Sequence, residues 1–181
     1  MQFVTPDCQL EIVDVEAANE HPYDANWHLT PGAGIEKRLG LRCTQGDTSR
    51  SCLVSSYGFS SVNHRCAVFL GQTLILAIGN RVCGIGLPGL DLMWSAQVDP
   101  SAVFGVYLLP NDDTAIIAHG ELDIVRVDKT GDVVWRTSGR DILTGELTIE
   151  SGCLRIADFD GARYRIELAD GATTMEYDPR A

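Results

Sequence analysis

The sequence has little positive charge. Lysine and arginine together number 14, against 25 aspartates and glutamates, so the formal net charge is −11. Residues 1–70 carry −3 of this charge and residues 71–181 carry −8. A like-charge field opposes binding to nucleic-acid backbones and to anionic lipid surfaces. We therefore expect no nucleic acid and no membrane among the partners, whereas a basic protein, a cation or a neutral sugar suits the charge. Solubility alone also accounts for it.

The sequence also lacks the segments that direct export or cross a membrane. Its first residues, "MQFVTPDCQLEIVD", have neither the basic start nor the apolar core of a signal peptide. The most apolar stretch, residues 66–90, is interrupted by Gln72, Asn80 and Arg81 and by repeated glycines. This pattern is typical of buried strands joined by turns and not of a membrane span. We expect a cytoplasmic protein.

Metal-binding patterns are missing as well. The cysteines include no CxxC pair and no zinc-like spacing, and their positions are Cys8, Cys43, Cys52, Cys66, Cys83 and Cys153. Cysteines within apolar, strand-like phrases behave as small buried hydrophobes. Their even number leaves a bridged, secreted protein open, but nothing else in the sequence supports export. We expect no metal site.

What the sequence does contain is an internal repeat of forty-one residues. "TLILAIGNRVCGIGLPGLDLMW" (73–94) aligns with "TAIIAHGELDIVRVDKTGDVVW" (114–135), so that Trp94 matches Trp135. A weaker third copy at 153–176 retains a turn glycine, Gly171, but has Glu176 in the tryptophan position. Each copy divides into short β-rich runs separated by turn residues. Four short strands in about forty residues is the size of a β-propeller blade.

The middle copy resembles a known repeat family. In "LDIVRVDKTGDVVW", Asp128, Thr130, Gly131 and Trp135 match the PQQ-like, or quinoprotein-type, propeller repeat. In that family the tryptophan docks between neighbouring blades, so the resemblance implies packing and not catalysis. The family's dehydrogenases use a larger closed propeller, a calcium-type metal site and often a vicinal cysteine pair. This sequence has no Cys-Cys and too few repeats, so we expect no cofactor; scaffold proteins of the same repeat class fit better.

The predicted fold class is all-β: β-propeller-like repeats of about 41 residues, with antiparallel four-stranded blades, in a small or incomplete propeller. The blades are placed at about 62–98, 99–141 and 142–178, within a segment that spans 62–181. Residues 1–61 are predicted to form an N-terminal β segment with a loop, part of the same domain, which supplies a fourth sheet. Because closed propellers typically have four or more blades, we favour a single-chain assembly of four sheets. An open stack, or closure by forming a homo-oligomer, is the alternative.

One candidate binding site is the stretch "HPYDANWH", residues 21–28. It concentrates His21, Asp24, Trp27 and His28, which offer two imidazoles, a carboxylate and an aromatic ring. Loops often carry binding residues. The alternative is a surface loop that Trp27 anchors to the core.

A second candidate site is a column of acids in the loops that leave the blades. Asp99, Asp141 and Asp178 each follow the tryptophan position within a few residues. Loops of this kind gather at one end of a propeller, so the three carboxylates are predicted to converge there. The alternative is that each caps local backbone.

The functional prediction follows from these features. No serine or cysteine stands in a G-x-S-x-G frame, and we assign no catalytic residue. We predict a non-catalytic, propeller-like interaction module that binds a protein partner, and a basic partner suits its charge. The alternative is an enzyme or carbohydrate-binding protein that uses the acids at one loop end.

Overall fold

The chain folds into four β-sheets. The computed structural model describes residues 1–15, 22–30 and 36–181, and all regular secondary structure in these ranges is β-strand. Over the same ranges, no helix has the length and apolarity that crossing a membrane requires. We number the sheets 1 to 4 in chain order.

Sheet 1 is the N-terminal sheet and has five strands. Its spatial order is β1-β2-β4-β5-β3, and the edge strand β3 runs parallel to β5, whereas the other pairs are antiparallel. Its strands are β1 (Gln2–Val4), β2 (Gln9–Asp14), β3 (Ala25–His28), β4 (Glu36–Gln45) and β5 (Thr48–Tyr57).

Sheets 2, 3 and 4 are antiparallel four-stranded meanders, as the repeat predicts. Sheet 2 contains β6 (Ala67–Leu70), β7 (Thr73–Ile78), β8 (Arg81–Gly86) and β9 (Asp91–Gln97). Sheet 3 contains β10 (Val103–Leu109), β11 (Asp112–Gly120), β12 (Asp123–Asp128) and β13 (Val133–Ser138). Sheet 4 contains β14 (Thr148–Ile149), β15 (Cys153–Ala157), β16 (Arg163–Glu167) and β17 (Thr173–Tyr177). The division of the chain at residue 61 stays a prediction.

Hydrophobic clusters join the sheets in chain order. One cluster joins sheets 1 and 2, a second joins sheets 2 and 3, and a third joins sheets 3 and 4. Over the described residues, no such cluster joins sheet 4 to sheet 1. Among the described residues, the apolar clusters therefore connect the sheets in a row, and four sheets correspond to a small or incomplete propeller.

The tryptophans of the repeat dock each sheet onto the next. The indole N–H of Trp94 donates to the carbonyl oxygen of Lys129 at 2.9 Å, and that of Trp135 donates to the carbonyl oxygen of Leu168 at 2.9 Å. Each ring covers a turn glycine of positive φ, Gly131 or Gly171, where a Cβ atom would lie within 3 Å of the ring. Glycine is needed there both for the backbone conformation and for the close approach of the ring. Packing between blades, which the resemblance implied, is the observed role.

Sheet 4 ends the row with a charged outer face. Leu154 and Ile166 pack toward sheet 3, so the neighbouring Arg155 and Arg165 point away from it. Arg155 forms ion pairs with Glu150 and Glu176, while Arg165 pairs with Glu167. This face of sheet 4 is therefore polar.

Candidate functional site

The alternating strand directions give the row of sheets two distinct ends. One end, which we call the hairpin end, consists of tight turns within sheets; they are residues 5–8, 46–47, 71–72, 87–90, 110–111, 129–132, 150–152 and 168–172. The opposite end, which we call the connection end, holds the segments that connect one sheet to the next and the remaining tight turns; the segments are residues 58–66, 98–102 and 139–147, and the turns are residues 79–80, 121–122 and 158–162. The two ends use their acidic residues differently.

The hairpin end carries exposed carboxylates that have no cationic partner. None of the following forms an ion pair within the described part of the chain, and all are exposed: Asp7, Asp47, Asp91, Asp113, Asp132 and Asp170. Lys129 is the basic residue in these turns. Tight turns hold the carboxylates on a rigid frame; for example, Asp128 accepts the backbone N–H groups of Thr130 and Asp132. This end therefore presents a negative surface.

At the connection end, Asp99 is committed to the backbone of its own chain. Its side chain is fully buried. One oxygen accepts the N–H groups of Ser101 and Ala102 at 2.7 and 3.1 Å. The other accepts those of Leu122 and Asp123 at 2.9 and 3.0 Å, across the boundary between sheets 2 and 3. Asp99 therefore caps backbone N–H groups, as the alternative interpretation stated, and its carboxylate has no exposed surface for a partner.

The other two acids of the column also make local contacts. Asp141 accepts the N–H of Ile142 at 2.7 Å. Asp178 receives both terminal nitrogens of Arg140 at 2.9 Å and the N–H of Arg180 at 2.9 Å. The Arg140 guanidinium, helped by that N–H, lowers the pKa of Asp178 to about 2. A binding role for these acids stays a prediction.

Replacing Arg140 by alanine should return the pKa of Asp178 toward the usual value of about 3.9, because the largest stabiliser of the ionised form is removed. Carboxyl-carbon NMR titration of the two proteins measures this. Arg136→Ala is the matched control, since Arg136 pairs with Asp123 instead. An unchanged pKa in the Arg140 variant contradicts the assignment.

The predicted site at residues 21–28 is divided between the two faces of sheet 1. Asp24 accepts the N–H and hydroxyl of Ser51, and the backbone bond above all lowers its pKa. His28 lies 2.8 Å from the Ser55 hydroxyl through Nδ1. Trp27 packs on the opposite face, against the cluster between sheets 1 and 2. His21 lies outside the described residues.

Trp27 docks sheet 1 onto sheet 2 in the same way as the two repeat tryptophans dock their sheets. Its indole N–H donates to the carbonyl oxygen of Leu90 at 3.1 Å, in the last turn of sheet 2. All three tryptophans of the chain therefore bond to the corresponding turn of the next sheet. Trp27 therefore anchors its segment to the core, as the alternative predicted, and it also docks sheet 1 onto sheet 2. The sequence did not reveal this docking role because Trp27 lies outside the forty-one-residue spacing.

His119 is a buried polar residue at the boundary of sheets 3 and 4. Its Nε2 donates to the carbonyl oxygen of Leu143 at 2.8 Å, and Nδ1 has no partner within the described residues. Burial lowers the pKa of the imidazole, so the neutral form is favoured. No set of three or more His, Cys, Asp or Glu residues in the described ranges is arranged to hold a metal ion. All six cysteines are free thiols.

Comparison with known proteins identifies the fold. No protein-family model matches the chain, and no curated protein matches it either. Among solved structures, BamB from Moraxella catarrhalis, a PQQ-like propeller, matches with a TM-score of 0.53 and 15% identity over 97% of this chain and 60% of that chain. The Cps50 (Swd1) β-propeller domain of Myceliophteria thermophila matches with a TM-score of 0.51 and 12% identity, over 69% of this chain and 44% of its own.

A designed protein belongs to the same group of matches. The computationally designed Ika4 protein has a TM-score of 0.52 and 11% identity, over 68% of this chain and 80% of that chain. Identities this low show the fold alone. The predicted fold class is confirmed: an all-β, propeller-type chain in which sheets 2, 3 and 4 are antiparallel and four-stranded. The chain spans 60% of BamB and less than half of the Cps50 domain.

Proposed function

We propose that the protein is a non-catalytic interaction module that binds a basic protein partner through its hairpin end. The observation that carries this proposal is the set of exposed aspartates, without an ion pair among the described residues, in or next to the hairpin-end turns of all four sheets. A rigid surface of one charge needs only to be presented, and charge complementarity speeds the capture of a basic partner.

The contrast between the two ends supports binding over catalysis. Catalysis usually needs a water-excluded cleft with polar groups free to act on a substrate. The column acids at the connection end already cap backbone or pair with arginine. The carboxylates at the hairpin end stand instead on short turns, in open solvent.

We further propose that the repeats belong to the PQQ-like class and that the protein is cytoplasmic. The glycine turns covered by docked tryptophans and the likeness to BamB support the first proposal. The free, buried cysteines support the second, because reduced thiols are the rule in that compartment.

The proposal is tested by capturing the partner and then weakening its binding selectively, with salt and with charge variants. The immobilised protein is exposed to extract of its native cells, bound proteins are identified by mass spectrometry, and affinity is measured with the purified partner. We expect a basic protein whose affinity falls by about tenfold or more when salt rises from roughly 0.05 to 0.5 M. The triple variant Asp47→Asn, Asp132→Asn, Asp170→Asn should weaken binding comparably.

A control variant removes the same charge elsewhere. Asp14→Asn, Glu146→Gln and Glu176→Gln neutralise acids outside the hairpin end that take part in exposed ion pairs, which are worth little to stability. This control should retain nearly full affinity. Partner binding that ignores salt, or that both triple variants weaken equally, contradicts the proposed function.

A further inference from the structure

Two hollows at the hairpin end join into one groove. A hollow of about 290 Å³ lies between sheets 1 and 2, and one of about 510 Å³ lies between sheets 2 and 3. Both are lined by Phe69 and Gly71, so they meet where β6 ends. We call the combined feature the inner groove. It crosses the ends of the first strands of three consecutive sheets, β1, β6 and β10.

The floor of the groove is apolar and partly open to solvent. Pro88 and Phe69 line the first hollow, and Leu108, which is 46% exposed, lines the second. The Phe69 ring is held edge-on against Phe3, with ring centroids 5.1 Å apart. A ligand that covers a large aliphatic side chain this exposed removes apolar surface from water, which favours binding.

The rim of the groove is acidic and offers free hydrogen-bonding groups. Asp7 lines the first hollow and Asp113 lines the second. Both are exposed, and neither forms an ion pair among the described residues. Gln45 and Gln72 also line the first hollow, and their side-chain amides make no hydrogen bond within the described ranges. Arg50 lies in a neighbouring hollow that shares Gln45 and Pro88 with the groove. The groove itself is lined by no basic side chain.

We infer that the inner groove binds an extended peptide segment of the partner, with a Lys or Arg toward each end and an apolar side chain between them. This inference rests on the proposed function and names where the partner is held. Charge complementarity selects the ends, since Asp7 and Asp113 attract cations, while the central side chain covers Phe69 and Leu108. Sheets pack roughly 10 Å apart, so the groove spans about 20 Å, or about six extended residues.

Labelled hexapeptides test the inference by fluorescence anisotropy with the full chain. The probes are Arg-Ser-Leu-Ser-Leu-Arg, the same peptide with glutamate at both ends, and the same peptide with glycine in place of leucine. We expect the first to bind, the second not to bind, and the third to bind more weakly by about tenfold or more, because the apolar contact is lost.

Matched variants locate the site. Asp7→Asn with Asp113→Asn should weaken binding of the first probe by about tenfold, as should Leu108→Ser. Asp14→Asn with Glu146→Gln removes the same charge outside the hairpin end, and should change binding by less than about twofold. Thermal melts verify that each variant is folded; if Leu108→Ser fails to fold, the two double variants decide.

The outcomes separate this inference from the proposed function. Equal weakening by the groove variant and the control variant, or no binding of the first probe by folded wild-type protein, overturns the groove. If the captured partner still responds to salt and to the hairpin-end variant in that case, the proposed function stands without the groove. If no basic partner is captured but the probe binds as described, the proposed function fails. The groove then remains a peptide-binding site whose natural ligand is not a basic protein partner.

Discussion

Replacing Trp135 by alanine is expected to lower the free energy of unfolding by about 3–5 kcal/mol, the cost of removing a large aromatic side chain from a packed core. The side chain is 8% exposed and belongs to the cluster between sheets 3 and 4. Its loss opens a cavity over Gly171 and leaves the Leu168 carbonyl without its indole donor. Urea titration, monitored by far-UV circular dichroism, measures the change.

Two further variants separate packing from the hydrogen bond. Trp135→Phe retains most of the ring and loses the N–H donor, so it should cost less than the alanine variant. Trp94→Ala should also cost less, because Trp94 makes the same contacts but is more exposed. A loss below about 1 kcal/mol for Trp135→Ala would show that the ring does not hold sheets 3 and 4 together.

Replacing Asp99 by alanine is expected to destabilise the fold by a similar amount, about 3–5 kcal/mol, for a different reason. Four backbone N–H groups lose their acceptor, and each buried unsatisfied donor costs about 1–3 kcal/mol before water or relaxation recovers part of it. Because two of those donors belong to sheet 3, the packing of sheets 2 and 3 should loosen. Hydrogen exchange at Leu122 and Asp123 reports this directly, alongside denaturant titration.

Asp141 provides the matched control. It occupies the equivalent place one repeat later, but it is only partly buried and accepts the N–H of Ile142. Asp141→Ala removes the same charge and should cost less than about 1 kcal/mol. Equal losses of unfolding free energy in the two variants would contradict the assignment of Asp99 as an inter-sheet cap. Faster hydrogen exchange in sheet 3 that spares Leu122 and Asp123 would show that another contact was lost.

Local pattern alone was enough to predict the blades of sheets 2, 3 and 4. Alternating apolar residues and Gly-containing turns fix strand and hairpin within a few residues, so a repeat in sequence becomes a repeat in structure. The docking of Trp135 between blades was implied by the resemblance of its repeat, but the structure decided which turn it contacts, at Leu168 and Gly171. Residues 1–61 were predicted to supply a fourth sheet, but the strand order of sheet 1 was not predictable from local pattern. Its edge strand, Ala25–His28, pairs in parallel with a strand more than twenty residues later, and no local pattern encodes that partner.

The candidate site divides along the same line. By itself, the sequence determined an all-β chain of strongly acidic character and three aspartates that each follow the tryptophan position within a few residues, because strand propensity, turn chemistry and charge are properties of neighbouring residues. Only the tertiary structure decided which acids remain available. Asp99, Asp141 and Asp178 look alike in sequence, yet one is buried under four N–H groups, one caps a neighbour and one is held by Arg140. Strand direction places the unpaired aspartates at the opposite end, and the donors that would neutralise an acid come from segments distant in the chain.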